Sequence, residues 1–242
     1  MKLLISLLAF VSVMVVAQAG ESIEELRKKA DDGNPQAQFD LGLEYYLGIS
    51  VSKNAVEAVE RFRKAAEQGL AAAQSSLGFM YENGDGVAKD TAEAAKWYRM
   101  AAEQGLAADQ FRVGVMYATG EGVAKDTTEA VKWFRKAAEQ GLVNAQFNLG
   151  LRFSNGDGVL KDTTEAVKWY RKAAESGLDR AQIGLGLAYA SGDGVPKDTT
   201  EAVKWYRMAA EQGEVHAQSI LGLFYRIGDG VTEMLVALDS KA

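Results

Sequence analysis

Apolar residues recur along the chain at helical spacing, in blocks that themselves repeat every 36 residues. Gly33, Gly69, Gly105, Gly141, Gly177 and Gly213 open six such blocks with no insertion between them. The first half of a block reads like "GLAAAQSSLGFMYENG", Gly69 to Gly84, in which Leu77, Phe79, Met80 and Tyr81 predict one helix. The second half, "DTAEAAKWYRMAAEQ" from Asp90 to Gln104, predicts another. Asp90 stands at the N-cap with Glu93 three residues on, where each side chain can satisfy a free backbone N–H of the first turn. Gly105 then supplies the left-handed residue that closes the helix, with Leu106 packing back on it. The same signals recur at Asp126 with Glu129, Asp162 with Glu165, and Asp198 with Glu201. A helix hairpin of this size cannot bury its own apolar stripe, so neighbours must stack and cover one another. The pattern therefore predicts an all-α solenoid of antiparallel hairpins. Its repeats are 33–68, 69–104, 105–140, 141–176, 177–212 and a truncated 213–231, after a lead-in helix at 20–32 and before a cap or tail at 232–242.

Comparing the six blocks separates positions that stack from positions free to differ. Counted from the leading glycine, the fifth, sixth, ninth, tenth and thirteenth are nearly fixed; the sixth is glutamine throughout, from Gln38 to Gln218, and is expected to bond structural backbone. Trp97, Trp133, Trp169 and Trp205 are expected to fill inter-helix space. The fourth, eighth, twelfth and fifteenth positions vary, and at about 100° per residue they share an arc of roughly 80° on the first helix. The eleventh stays apolar and reads as the rim of the core. The variable stripe starts with Gln36, Asp40 and Glu44, continues through Met80, Arg112 and Met116, and then carries Asn144, Asn148, Arg152, Asn155 and Arg180. Such residues could clamp an extended peptide or a carboxylate, or could be ordinary solvated side chains. In the last block the stripe becomes His216, Ile220, Phe224 and Ile227, an apolar patch that calls for a cover. Two covers fit: the tail, with Met234, Leu235, Val236 and Leu238, folding back as a short helix, or self-association through the same patch.

The recurring text "AxxxLGxxYxxGxGVxKDxxEAxxWYRKAAExG" resembles the Sel-one-like repeat, a relative of the tetratricopeptide repeat. Ala145, Leu149, Gly150, Gly156, Gly158, Val159, Asp162, Ala166, Trp169, Tyr170 and Ala173 all fall at its spacing. The first block departs from it at Gly48-Ile49-Ser50-Val51 and carries Arg61 at the tryptophan position; the last loses it after Val231. The resemblance implies a right-handed curved solenoid whose first helices line the concave face, used as a binding scaffold. It also brings alternatives. Cysteine-rich exported relatives have penicillin-binding or weak β-lactamase activity, though they pair cysteines in their repeats and this chain has none. A peptidoglycan-associated periplasmic protein is the third reading.

Composition narrows the rest. Met1-Lys2, the apolar run Leu3 to Ala17 and the small-residue step Ala17-Gln18-Ala19 read as a secretory signal over 1–19, so the mature chain is expected to start near Gly20, in the periplasm or outside the cell. Without cysteine, stability there must come from burial. A net charge of −6 with both signs interspersed argues against nucleic acid, and no second long apolar run follows to insert in a membrane after signal cleavage. The Gly-Asp-Gly-Val loop lacks the Gly-Lys-Ser/Thr of a phosphate loop and, at Ala94, the glutamate of a calcium loop, so it reads as a tight turn. With His216 the only histidine, no metal, cofactor or catalytic residue is expected. The expected function is an exported, non-enzymatic module that binds a protein or peptide of unknown identity.

Overall fold

The computed structural model describes residues 22–227, which form twelve α-helices and two compact units dividing at Lys125 and Asp126. The first unit holds α1 (Ile23–Asp31), α2 (Pro35–Leu47), α3 (Ala55–Glu67), α4 (Ala71–Asn83), α5 (Thr91–Glu103) and α6 (Ala107–Thr119). The second holds α7 (Thr127–Glu139), α8 (Val143–Asn155), α9 (Thr163–Glu175), α10 (Asp179–Ser191), α11 (Thr199–Glu211) and α12 (Val215–Ile227). Within each unit consecutive helices pack as antiparallel hairpins, each stacked on the next. The expected signal over 1–19 and the expected tail over 232–242 lie outside the described residues.

The helix ends follow from local chemistry. Asp90, Asp126, Asp162 and Asp198 accept at 2.9–3.0 Å from the backbone N–H three residues on. Among the described residues the reciprocal half of the expected capping box occurs in α1, where Glu25 accepts from the Ser22 N–H at 2.9 Å. Elsewhere the glutamate takes a lysine one turn on, Glu129 with Lys132 and Glu165 with Lys168, because that cation lies within reach on the same solvent face. Gly105, Gly141 and Gly177 adopt φ of +99°, +87° and +90° after their helices, as expected.

Periodic packing makes the core. Leu41, Leu77, Leu149 and Leu185 are fully buried, and Trp133, Trp169 and Trp205 nearly so. The tenth-position glycines let a ring of the second helix lie against the first: a Cβ on Gly150 would stand 2.7 Å from the Tyr170 ring. The invariant glutamines bond backbone, as expected: Gln38, Gln74 and Gln182 donate to the carbonyls of Ala30, Ala66 and Ala174 at 3.1–3.3 Å. A second glutamine caps each of them, since Gln68, Gln104 and Gln212 donate to the Oε1 atoms of Gln38, Gln74 and Gln182 at 2.8–2.9 Å. In the fourth repeat that second residue is Ser176, whose hydroxyl turns to the Lys172 carbonyl, and the buried Gln146 Oε1 has no partner. Ser176→Gln should supply the missing bond and raise stability by about 1 kcal/mol in urea melts; an unchanged or lowered midpoint would show that this ladder contributes nothing.

The first repeat carries Ser50 where later repeats have the second loop glycine. In later repeats the second glycine of the loop lies on the first turn of the preceding second helix: a Cβ on Gly86, Gly122, Gly158 or Gly194 would stand 2.1–2.2 Å from the carbonyl oxygen of Ala55, Thr91, Thr127 or Thr163. These loops are thus clasps between repeats, beyond the tight turns expected from the sequence. Ser50 occupies the same register, and the position it would meet, residue 19, lies outside the described residues. The loop is held by Glu44, which accepts from the Ser50 N–H at 2.9 Å. Arg61, in place of tryptophan, reaches Asp31 of α1 at 2.6 Å.

Candidate binding groove

The structure divides the expected stripe. Glu44, Met80 and Met116 are 4%, 1% and 3% exposed, so they are core residues and not part of an open face. Within a unit, first helices such as α4 and α10 pack against two second helices, their own and the preceding one, and the twelfth position turns toward the latter. Met116 shows this, lying beside Ala92 and Ala95 of α5. The eleventh position grades from core to surface along the chain, with Leu43 and Phe79 1% and 5% exposed but Leu187 and Leu223 60% and 48%. Asp40 accepts from Gln36 at 3.0 Å along its own helix.

The expected arginines also differ in kind. Arg112 pairs with Glu82 and lies over the Tyr98 ring, 5.1 Å from its centre. Arg152 pairs with Asp157 and lies 5.8 Å from the Phe134 ring centre, where burial lowers its pKa. Both are structural. Arg180 is exposed, and its guanidinium has no partner among the described residues. Asn144 and Asn155 are exposed, and Asn148 is half-buried with its amide on the Asn144 carbonyl at 2.8 Å.

Arg180 and Asn155 border a groove of about 350 Å³ in the second unit. α8 gives one wall through Phe147, Leu151 and Ser154, and α10 the other through Ile183 and Leu187. Its floor is Ala166, Val167 and Tyr170 of α9, whose hydroxyl burial pushes to a higher pKa. The hollow exists because Gly184 and Ala188 line it, one turn apart on α10. The same two positions hold Asn148 and Arg152 one repeat earlier and Ile220 and Phe224 one repeat later. The apolar wall went unread in the stripe, yet the pairing of two small residues in the fifth repeat alone was visible in the text.

At the C-terminal end Ile220 and Phe224 are half-buried, Phe224 tilted against Tyr206 at 5.8 Å, while Ile227 is 67% exposed. A Cβ on Gly222 would meet nothing within 4 Å, whereas its counterpart on Gly186 meets the Tyr206 ring at 3.0 Å, so this face of α12 is bare among the described residues. His216 lies at the surface, its ring nitrogen 3.6 Å from Glu214. Among the described residues no group of three or more acidic or histidine side chains could hold a metal ion, and no helix is long and apolar enough to cross a membrane.

Stacked hairpins of 36-residue period define an all-α helical-repeat scaffold. The chain belongs to the Sel1 repeat family: the repeat matches at residues 35–70, 71–106, 107–142, 143–178, 179–214 and 215–233, two residues later in register than the blocks read from the glycines. Such repeats generally serve protein–protein interaction. The structure is similar to that of c5321, a protective antigen of uropathogenic Escherichia coli strains with an SLR fold, at 42% identity and a TM-score of 0.82. That match covers 88% of this chain and 45% of the antigen, so the chain spans less than half of that relative. It is also similar to a Sel1 repeat protein from Oxalobacter formigenes, at 38% identity and a TM-score of 0.79 over 90% of both chains. No curated protein matches the chain.

Proposed function

We propose that the chain is an exported, non-enzymatic binding module that recognises a protein or peptide through the first-helix face of its second unit. The observation that carries this is the half-open groove between α8 and α10, with an apolar interior and at its edge an arginine whose guanidinium has no partner among the described residues. Pockets that bind are mostly apolar with a few placed polar groups, and this one has that make-up. Export rests on the N-terminal run Leu3 to Ala17 and the step Ala17-Gln18-Ala19.

A photo-reactive side chain placed at Leu187, in the groove, should cross-link a discrete protein in the native envelope or medium. The same group at Lys168, on the solvent face of α9, should not. Equal labelling from both positions, or labelling from Lys168 alone, would remove the groove as the binding face. The intact mass of the recovered protein should correspond to a start near Gly20; recovery of an unprocessed chain from the cytosol would overturn export.

A further inference from the structure

We infer that the groove takes an extended, apolar peptide segment whose carboxylate lies at the Arg180 end. This deepens the binding reading above and rests on it. The lining residues of α10 run from Arg180 to Ser191, about 16 Å at 1.5 Å per residue, which matches about five residues of extended chain at 3.3 Å each. An α-helix, 10–12 Å across with its side chains, is far wider than a hollow left where Gly184 has no side chain and Ala188 only a methyl group. The interior offers apolar contact from Phe147, Leu151, Ile183 and Leu187.

Charge sets the direction. Three charged side chains line the groove, and Lys161 and Asp193 both follow the C-terminal ends of its flanking helices, where they offset one another. At the opposite end Arg180 is the charged side chain that lines the groove, in the first turn of α10; the neighbouring Asp179 lies outside the lining and turns its carboxylate to the Arg180 backbone N–H at 2.6 Å. The guanidinium fork of Arg180 matches a carboxylate in two parallel hydrogen bonds. Its guanidinium, with no partner among the described residues, is the cation that this end of the apolar trough offers a ligand. The ligand chemistry it complements is apolar side chains followed by an aspartate, a glutamate or a free C-terminus.

The test uses the full chain and fluorescein-labelled pentapeptides, with leucine, alanine or lysine at the three central positions and aspartate, asparagine or lysine at one end. Anisotropy should show leucine-rich, aspartate-ended peptides binding at least tenfold tighter than lysine-ended ones. Arg180→Glu, at an exposed position, should reverse that end preference. Gly184→Leu should fill the hollow and cost at least tenfold in leucine-peptide affinity with unchanged circular dichroism, since the nearest atoms to a Cβ there are 3.6 Å away. An end charge without effect, or an Arg180→Glu variant with unchanged preference, overturns this inference while the binding reading stands on cross-linking from Leu187. Loss of both peptide binding and Leu187 cross-linking overturns the two together. If a synthetic peptide of residues 232–242 binds at least tenfold tighter than every pentapeptide, the occupant is a segment of this chain, and an external peptide is overturned.

Discussion

Asp109→Ala is expected to stabilise the protein by about 2 kcal/mol at pH 7.5, an unusual direction for a core substitution. The fifth position of every other repeat is alanine, and Ala73, Ala145, Ala181 and Ala217 are fully buried. Asp109 stands in the same place, 4% exposed. Burial pushes its carboxyl up to about 6, against the pull of the Ser75 hydroxyl, which donates to it at 2.9 Å, and of the Arg112 cation. The Tyr98 ring borders the same cluster, and Glu82 takes both the Tyr98 hydroxyl and Arg112. Because the folded-state pKa lies above the unfolded value of 3.8, the group binds its proton more tightly in the folded protein. Its penalty is therefore full above about pH 6 and is relieved as pH falls toward 3.8; a shift of this size corresponds to about 3 kcal/mol. The loss of the Ser75 bond subtracts roughly 1 kcal/mol from the gain. Urea melts of both proteins at pH 7.5 and pH 4.5 should show the advantage of alanine shrinking to near zero at the lower pH. An advantage that does not change with pH would mean that Asp109 is solvated, and a destabilised variant would mean that its bond to Ser75 outweighs its burial.

What was legible in the sequence was whatever depends on one helix at a time. The aspartate caps, the closing glycines and the buried glutamines were all readable, because each acts through backbone within a few residues or through a repeat-wide rule. Three features depend on a neighbour and were not. A helix covered on one side alone would turn its twelfth position outward; α6 packs on α5, and Met116 turns to meet it. The groove escaped because Gly184 and Ala188 act by absence, and a hydrophobic pattern registers side chains that are present. Glu93 and its counterparts kept their place in the capping sequence but found lysines, a choice of partner that spacing alone does not settle.

The loop glycine also depends on a neighbour, and Gly158→Ala is expected to cost about 3 to 5 kcal/mol, among the largest effects of any single methyl group in this chain. Two separate terms contribute. Gly158 has φ +76°, where alanine is strained by about 1–2 kcal/mol. In addition its Cβ would stand 2.2 Å from the Thr127 carbonyl oxygen, 2.4 Å from the carbonyl carbon and 2.9 Å from the Thr128 nitrogen, all of them backbone in the first turn of α7. A flexible side chain could swing away from such a contact, but a capped helix turn cannot. The fourth repeat's loop must then lift off the helix it clasps, weakening the stacking on which a repeat protein depends. Gly177→Ala separates the two terms, since Gly177 has φ +90° with nothing within 4 Å of a Cβ and should lose only the conformational part. Denaturant melts of the two variants should differ by at least about 1 kcal/mol, with Gly158→Ala the weaker protein. Equal losses would mean that the glycine is kept for its backbone angle alone and that the loop does not clasp its neighbour.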